Sequence, residues 1–365
     1  MADARALVLA EPRRFEQRRL PIPDVGDDDA VLRVEACGLC GTDHEQYTGQ
    51  LHGGFPFVPG HETVGIVEQI GADAAERWDV HAGDRVAVEV FQSCRACRAC
   101  EIGQYQRCER HGLADMYGFV DVTRPPGLWG GYATHQYLAP DSSVLPIPDA
   151  LAPDVATLFN PVGAGIRWGV TLPSTQPGAV VAVLGPGVRG LSVAAAAKHA
   201  GAGFVLLTGR GAHDAERLEL AHAFGADLTV DVEQADPVRA LRAVVGRLAD
   251  VVVDVTANAP AAFGQAIDLA TPGGSVVVAG TRGAVEAPGF HPDAVVLKEL
   301  RILGALGVDR PAYRAALDLL ASGAYPFAEL PRAIAGFDGV EHMLQVMSGE
   351  GRGDQRPPVH AVFRP

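Results

Sequence analysis

Four cysteines fall at 94, 97, 100 and 108, in the run Cys94-Arg-Ala-Cys97-Arg-Ala-Cys100-Glu-Ile-Gly-Gln-Tyr-Gln-Arg-Cys108. Four thiolates at that spacing can close a tetrahedron around one zinc ion and leave no open position, so the site folds a loop and does no chemistry. Only two other cysteines exist, Cys37 and Cys40. Cys40 stands in Gly38-Leu-Cys40-Gly-Thr42-Asp43-His44-Glu45, and farther on comes Pro59-Gly60-His61-Glu62-Thr63. Cys40, His61 and Glu62 offer a thiolate, an imidazole and a carboxylate, all good zinc ligands. Alone, His61 would read as an ordinary surface or core histidine. Its company makes it a ligand: Cys40, a second metal cluster and a nucleotide-binding turn in one chain.

That turn is Gly185-Pro-Gly187-Val188-Arg-Gly190, between a short apolar strand, Val180 to Gly185, and a helix-forming run around Leu191 to His199. By itself a Gly-x-Gly-x-x-Gly pattern is only a tight turn. After a strand and before a helix it is a dinucleotide site: Gly185 permits the turn, Gly187 lets backbone approach the pyrophosphate, and Gly190 allows close helix–strand packing. The helix N-terminus at Val188 then faces the phosphates. An acid that would bind the ribose hydroxyls is missing from the next strand, which ends Leu207-Thr208-Gly209-Arg210. Gly209 leaves room and Arg210 can pair with a 2′-phosphate, which favours NADP over NAD. Two other readings remain: Arg210 as a solvated loop residue, and Asp214 or Glu216 folding back from a long loop at 209–215.

The elements that position these residues differ along the chain. Up to about residue 155 the texture is strand and turn, as in the alternating runs 65–71 and 84–90, punctuated at Pro59-Gly60, Gly83 and Pro125-Pro126-Gly127. Helical patterns are scarce there. From 180 on, strands at 180–185, 204–208, 228–231, 250–254, 275–280 and 301–306 alternate with helical stretches, including 216–224, which implies βαβ units and a parallel sheet. Beyond Pro311 the pattern gives one amphipathic helix from Tyr313 to Leu320 and another around Val340 to Met347, with a surface loop at 349–356. The fold class is therefore α/β: a mostly-β domain at 1–155 with a zinc lobe at about 92–110, a doubly wound parallel sheet at 156–306, and a C-terminal segment at 307–365.

At 365 residues the chain is long enough for two cores. A hydrophobic content of 48% with 20% charge describes a globular protein. The net charge of −14 argues against nucleic acid, which wants a basic stripe. No leader and no uninterrupted apolar span is evident, so a cytoplasmic location and no membrane partner are expected. There, reduced cysteines prefer metal to disulfides.

The chain resembles the zinc-dependent medium-chain dehydrogenases, the family that holds alcohol, sorbitol and threonine dehydrogenases. The resemblance rests on Gly38-Leu-Cys40-Gly-Thr42-Asp43, Gly60-His61-Glu62, Gly83-Asp84-Arg85-Val86, the four-cysteine run and the nucleotide turn, in that order. It implies a GroES-like catalytic domain, a Rossmann coenzyme domain and a C-terminal return to the catalytic domain. It also implies Cys40, His61 and Glu62 on a catalytic zinc, the four cysteines on a structural zinc, and NAD(P) as coenzyme. The implied reaction is hydride transfer between a small alcohol, a secondary alcohol or polyol, and its ketone or aldehyde, in a homodimer or homotetramer.

Two positions depart from the family. Asn160, in Leu158-Phe159-Asn160-Pro161, stands where an acid is usual; an amide is a poor zinc ligand and is expected to hydrogen-bond beside the site, unless it only forms a turn before Pro161. Glu45 occupies the place where a proton-relaying histidine is frequent, with His44 one residue early. Thr42 keeps its hydroxyl and is expected to take the substrate proton first. Asp43 is expected to orient His61, and Cys37 to be a small buried residue. Thr42, Phe91, Leu113, Tyr117 and Leu306 are candidates for the substrate wall, with core packing an equal role for each. The alternatives to a zinc dehydrogenase are a zinc-free reductase of the same superfamily, which would lack both metal clusters, and a non-catalytic zinc and nucleotide binder with a redox-sensing role.

Overall fold

The computed structural model describes residues 2–51, 54–283, 285–348, 350 and 357–365. The surface loop expected at 349–356 lies, apart from Glu350, outside the described residues. By contacts the chain divides into two compact units: Met1–Asn160 with Asp309–Gly323 and Phe327–Pro365, and Pro161–Val308 with Ala324–Pro326.

The first unit is built on a seven-stranded sheet. Its path runs Arg332–Ala335, His360–Phe363, Ala30–Leu39, Glu62–Ile70, Arg85–Val88 and Val144–Pro146, with His135–Leu138 also pairing to Ala30–Leu39. All pairings are antiparallel except that of Arg332–Ala335 with His360–Phe363. A separate ribbon, Asp3–Glu11 with Arg14–Pro21, adds apolar side chains to a core with Tyr47, Phe57, Tyr132 and Phe363. Two short helices interrupt the strand texture, Gly41–Thr48 and Ala72–Trp78. Their sequences are too polar and too short for a periodic signal; each follows directly on a strand that delivers the chain to its first turn.

The second unit holds six parallel strands in the order Leu228–Asp231, Phe204–Gly209, Val180–Leu184, Ala249–Asp254, Ala270–Val278 and Arg301–Gly304. Val180–Leu184 is buried at every residue, the continuous apolar run that a strand covered on both faces requires. The chain leaves it in one direction to Phe204–Gly209 and later returns on its other side with Ala249–Asp254. This reversal opens a crevice at the strand's C-terminal end, the usual ligand position in an open α/β sheet.

One helix departs from the sequence reading. The helix expected at 216–224 runs Gly211–Ala223, so the stretch 209–215 is not a long loop. The cause is Asp214, whose Oδ2 accepts from the backbone N–H of Arg210 at 2.8 Å. A carboxylate in the first turn also meets the positive end of the helix dipole.

Candidate active site

Cys40 ends the strand Ala30–Leu39 and caps the helix Gly41–Thr48 in extended conformation. The helix begins there because the Asp43 carboxylate reaches back to the Cys40 backbone, with Oδ2 accepting from N at 2.8 Å. His61 immediately precedes the neighbouring strand, and Glu62 is that strand's first residue, paired with Gly38. The antiparallel register therefore carries Cys40 and His61–Glu62 to one end of the sheet. All three side chains are buried, and their ligand atoms lie within 4.8 Å of one another. Cys40 Sγ and His61 Nε2 are 3.3 Å apart. A tetrahedral zinc with Zn–S near 2.3 Å and Zn–N near 2.0 Å separates such atoms by about 3.5 Å, so the donor set fits the ion. His61 Nδ1 faces Asp43 Oδ1 at 3.8 Å, where a buried carboxylate can fix the ring orientation.

Glycines make the room. A Cβ at Gly38 would lie 2.2 Å from Glu62 Oε2, so the glycine across the ladder is what lets that carboxylate turn inward. Gly60, at φ +94°, and Gly131 would each press a Cβ within 3 Å of Cys37 Sγ. Cys37 is the small buried residue there; its thiol lies 3.6 Å from Thr63 Oγ1, and burial pushes its pKa well up. Gly38→Ala is expected to displace the Glu62 carboxylate and to lower kcat by about tenfold or more, with a stability loss of about 1–3 kcal/mol from overpacking. Activity and thermal unfolding measured side by side check this, and an active, equally stable variant would refute the packing role.

The remaining residues of the first segment are placed less distinctively. Thr42 lies half-buried in the first turn of the helix, two residues beyond Cys40, and Glu45 half-buried one turn later. His44 Nε2 is 3.5 Å from Glu350. Asn160 is not in a turn: it is the second residue of the helix Phe159–Ile166, buried, and its Nδ2 donates to the Tyr313 hydroxyl at 3.0 Å. Two substrate-wall candidates belong to packing. Phe91 sits in a cluster with Val90 and Tyr105. Tyr117 is buried against Trp129, sharing hydrogen bonds with Ser142 and the Ala139 backbone. Leu113 and Leu306 are exposed at the surface.

The four cysteines form the second cluster, their sulfurs also within 4.8 Å of one another. Cys94 and Cys100 Sγ are 3.8 Å apart, the edge of a ZnS4 tetrahedron at about 2.3 Å per bond. Backbone hydrogen bonds at Glu109 and Cys100 hold the Cys97 thiol below its ordinary pKa. Burial pushes Cys108 up, but backbone bonds at Cys94, His111 and Arg110 outweigh it and bring it to about 6. Burial leaves Cys100 at about 12. Tyr105, between the third and fourth cysteines, donates from its hydroxyl to Glu89 Oε2 at 2.8 Å. Glu89 is fully buried, and burial raises its carboxyl to about 8, so the lobe is anchored to the core through a buried acid.

In the second unit the three turn glycines have three distinct surroundings. Gly185 has φ +105°, which a side chain would strain; a Cβ at Gly190 would strike Gly185 O at 1.8 Å; a Cβ at Gly187 would meet nothing within 4 Å. The open space at Gly187 lies at the N-terminus of the helix Val188–His199, where backbone N–H groups favour an anion. A cleft of about 430 Å³ continues past Pro186, Thr208, Gly209, Arg210 and Asp214. Arg210 lies at its lip, with its Nε on Glu233 Oε1 at 2.9 Å. Glu233 was not legible as part of this site, because it stands on the loop after a different strand.

Residues 26–149 match the family model for the alcohol dehydrogenase GroES-like domain, and residues 187–322 that for the zinc-binding dehydrogenase. A protein of Mycobacterium tuberculosis described as a probable alcohol dehydrogenase is 68% identical over 365 residues, covering 100% of this chain and 99% of its own. The sorbitol dehydrogenase of Bacillus subtilis is 30% identical over 327 residues, 88% of this chain and 87% of its own. Among solved structures, a Sinorhizobium meliloti protein described as a zinc-binding dehydrogenase and bound to NADP aligns with a TM-score of 0.84 at 29% identity over 100% of both chains. The alcohol dehydrogenase of Thermus sp. ATN1 aligns at 0.83 and 27%, over 99% of both. The chain belongs to the zinc-dependent medium-chain dehydrogenases and is an oxidoreductase of the alcohol dehydrogenase type that works with zinc and NAD(P).

Proposed function

We propose that the protein interconverts a secondary alcohol or polyol and its ketone at a zinc held by Cys40, His61 and Glu62. The observation that carries this reading is the convergence of three buried donor atoms within 4.8 Å, with an acid placed behind the imidazole. Zinc supplies a Lewis acid that lowers the pKa of an alcohol hydroxyl, and the nicotinamide supplies the hydride acceptor. The chain's own residues do the rest. Asp43 holds the Cys40 backbone and stands 3.8 Å behind the His61 ring, so one carboxylate serves the surroundings of two donors. Burial of the three donor side chains limits the water that reaches them. Thr42, two residues beyond Cys40 in the first turn of the helix, relays the substrate proton: its Oγ1 accepts that proton as its own hydroxyl proton passes on to solvent water. Gly185, Gly187, Val188 and Gly190 hold the pyrophosphate, while Gly209 and Arg210 admit a 2′-phosphate, which favours NADP.

A second zinc on Cys94, Cys97, Cys100 and Cys108 gives two per chain. Asn160, whose amide donates to the Tyr313 hydroxyl, belongs beside the zinc site and not among its ligands. No disulfide joins any of the six cysteines, as thiolate metal ligands such as Cys40 and the Cys94–Cys108 set require, which suits a reducing, cytoplasmic location. Among the described residues no helix is long and apolar enough to cross a membrane. The edge strand Arg301–Gly304 and the helix Asp293–Leu297 expose Ile302, Val296 and Leu297, a face suited to a homodimer or a homotetramer.

The decisive experiment is an initial-rate screen of alcohols and ketones with NAD and NADP in parallel, on protein whose zinc content is known. Turnover fastest on secondary alcohols or polyols, with about two zinc per chain and a preference for NADP, is the expected result. Two zinc without turnover on any alcohol would move the protein to the redox-sensing reading.

A further inference from the structure

Resting on the NAD(P) reading, we infer that Glu233 is a coenzyme-specificity residue that holds Arg210 back from a 2′-phosphate. The acid missing from the end of the strand Phe204–Gly209 is supplied by the next strand. Leu228–Asp231 pairs in parallel with it, setting Asp231 against Gly209. Asp231 Oδ1 accepts from Gly211 N at 2.8 Å and from Glu233 N at 3.0 Å, so one carboxylate ties the two loops together. Glu233 is thereby held with one oxygen on Arg210 Nε at 2.9 Å and the other against the Gly211 backbone, where an added Cβ would meet Oε2 at 2.4 Å. Gly211 also sits at φ +60°, so it satisfies both the turn and the carboxylate's approach.

Each of the two arginines at the lip of the cleft has a carboxylate partner. Arg210 pairs with Glu233, and Arg217 Nη1 lies 3.3 Å from Asp214 Oδ1. Asp214's other oxygen is taken by the Arg210 backbone. A 2′-phosphate adds about −1.5 to −2 of charge and needs Arg210 turned away from Glu233, with that carboxylate left as a like-charged neighbour. A 2′-hydroxyl adds no charge and leaves the Arg210–Glu233 pair undisturbed. Arg210 and Glu233 are both substantially exposed, so the opposition is modest and screened by salt. Glu233 therefore narrows the advantage that Gly209 and Arg210 give to NADP, and both coenzymes bind.

The test uses the zinc-loaded full chain. Dissociation constants for NADP+ and NAD+ are measured by titration calorimetry in the wild type, Glu233→Gln, Arg210→Ala and the double variant. Glu233→Gln is expected to lower the ratio of the NADP+ to the NAD+ constant by about fivefold. Glu233→Lys moves it further in the same direction. The shift shrinks in the Arg210→Ala background and in high salt, which a purely structural role of Glu233 would not produce. A ratio unmoved by both Glu233 variants, with both coenzymes still binding, overturns the role of Glu233 alone. A wild type that binds neither coenzyme overturns the NAD(P) reading and this inference with it.

Discussion

Cys40→Ala is expected to lower kcat at least about a thousandfold while the protein stays folded. The substitution removes the one thiolate from the donor set and leaves His61 and Glu62, two ligands where a working zinc site needs three. Polarisation by the metal contributes several kcal/mol to the barrier, and about 4 kcal/mol corresponds to a thousandfold in rate. The cost in stability should be small, because the side chain removed is short and the Asp43 carboxylate still caps the helix through the backbone N–H at position 40. Rates, zinc content and thermal unfolding should be measured on the same preparation. The expected pattern is one zinc lost per chain, activity gone and Tm nearly kept. Alcohol oxidation at more than about a tenth of the wild-type rate would remove Cys40 from the catalytic set.

Cys97→Ala should do the opposite. The four-cysteine lobe carries only short elements, the helix Arg98–Glu101 and the turn Tyr105–Arg107, which cannot bury a core of their own. Metal binding to such a site is folding free energy, and losing one of four thiolates forfeits several kcal/mol of it. At about 2–4 °C per kcal/mol for a domain of this size, Tm is expected to fall by on the order of 10 °C. Residual activity per folded molecule should be largely retained, since the catalytic donors lie elsewhere. The chelator dependence supplies a control: zinc removal should destabilise the wild type and have little further effect on the variant. An unchanged Tm in Cys97→Ala would show that the lobe holds itself together without the metal.

The metal chemistry was legible in the sequence because it is local. Cys94 to Cys108 bring four sulfurs together within a single loop, and the three glycines of the nucleotide turn act within one strand–helix junction, so spacing carries most of the meaning. Cys40, His61 and Glu62 were legible by residue type and company, but their meeting depends on the register that sets Gly38 opposite Glu62. Other features were invisible for equally physical reasons. The helix at Gly211 begins early because Asp214 finds the Arg210 backbone, a hydrogen bond that composition does not announce. Phe91 and Tyr117 are the right kind of residue for a substrate wall, yet packing against Tyr105 and Trp129 claims them for the core. Asn160 before a proline suggests a turn, and the helix Phe159–Ile166 takes it instead.

The sequence by itself determined the ligand types, the cofactor turn and the α/β class, since each is set by neighbours along the chain or by short periodic patterns. Only the tertiary structure decided which carboxylate stands beside which cation. Glu233 comes to Arg210 because two parallel strands align Asp231 with Gly209, and the Glu89 carboxyl is pushed up because the core closes over it. Both depend on burial and on register between distant segments, quantities that no local run of residues contains.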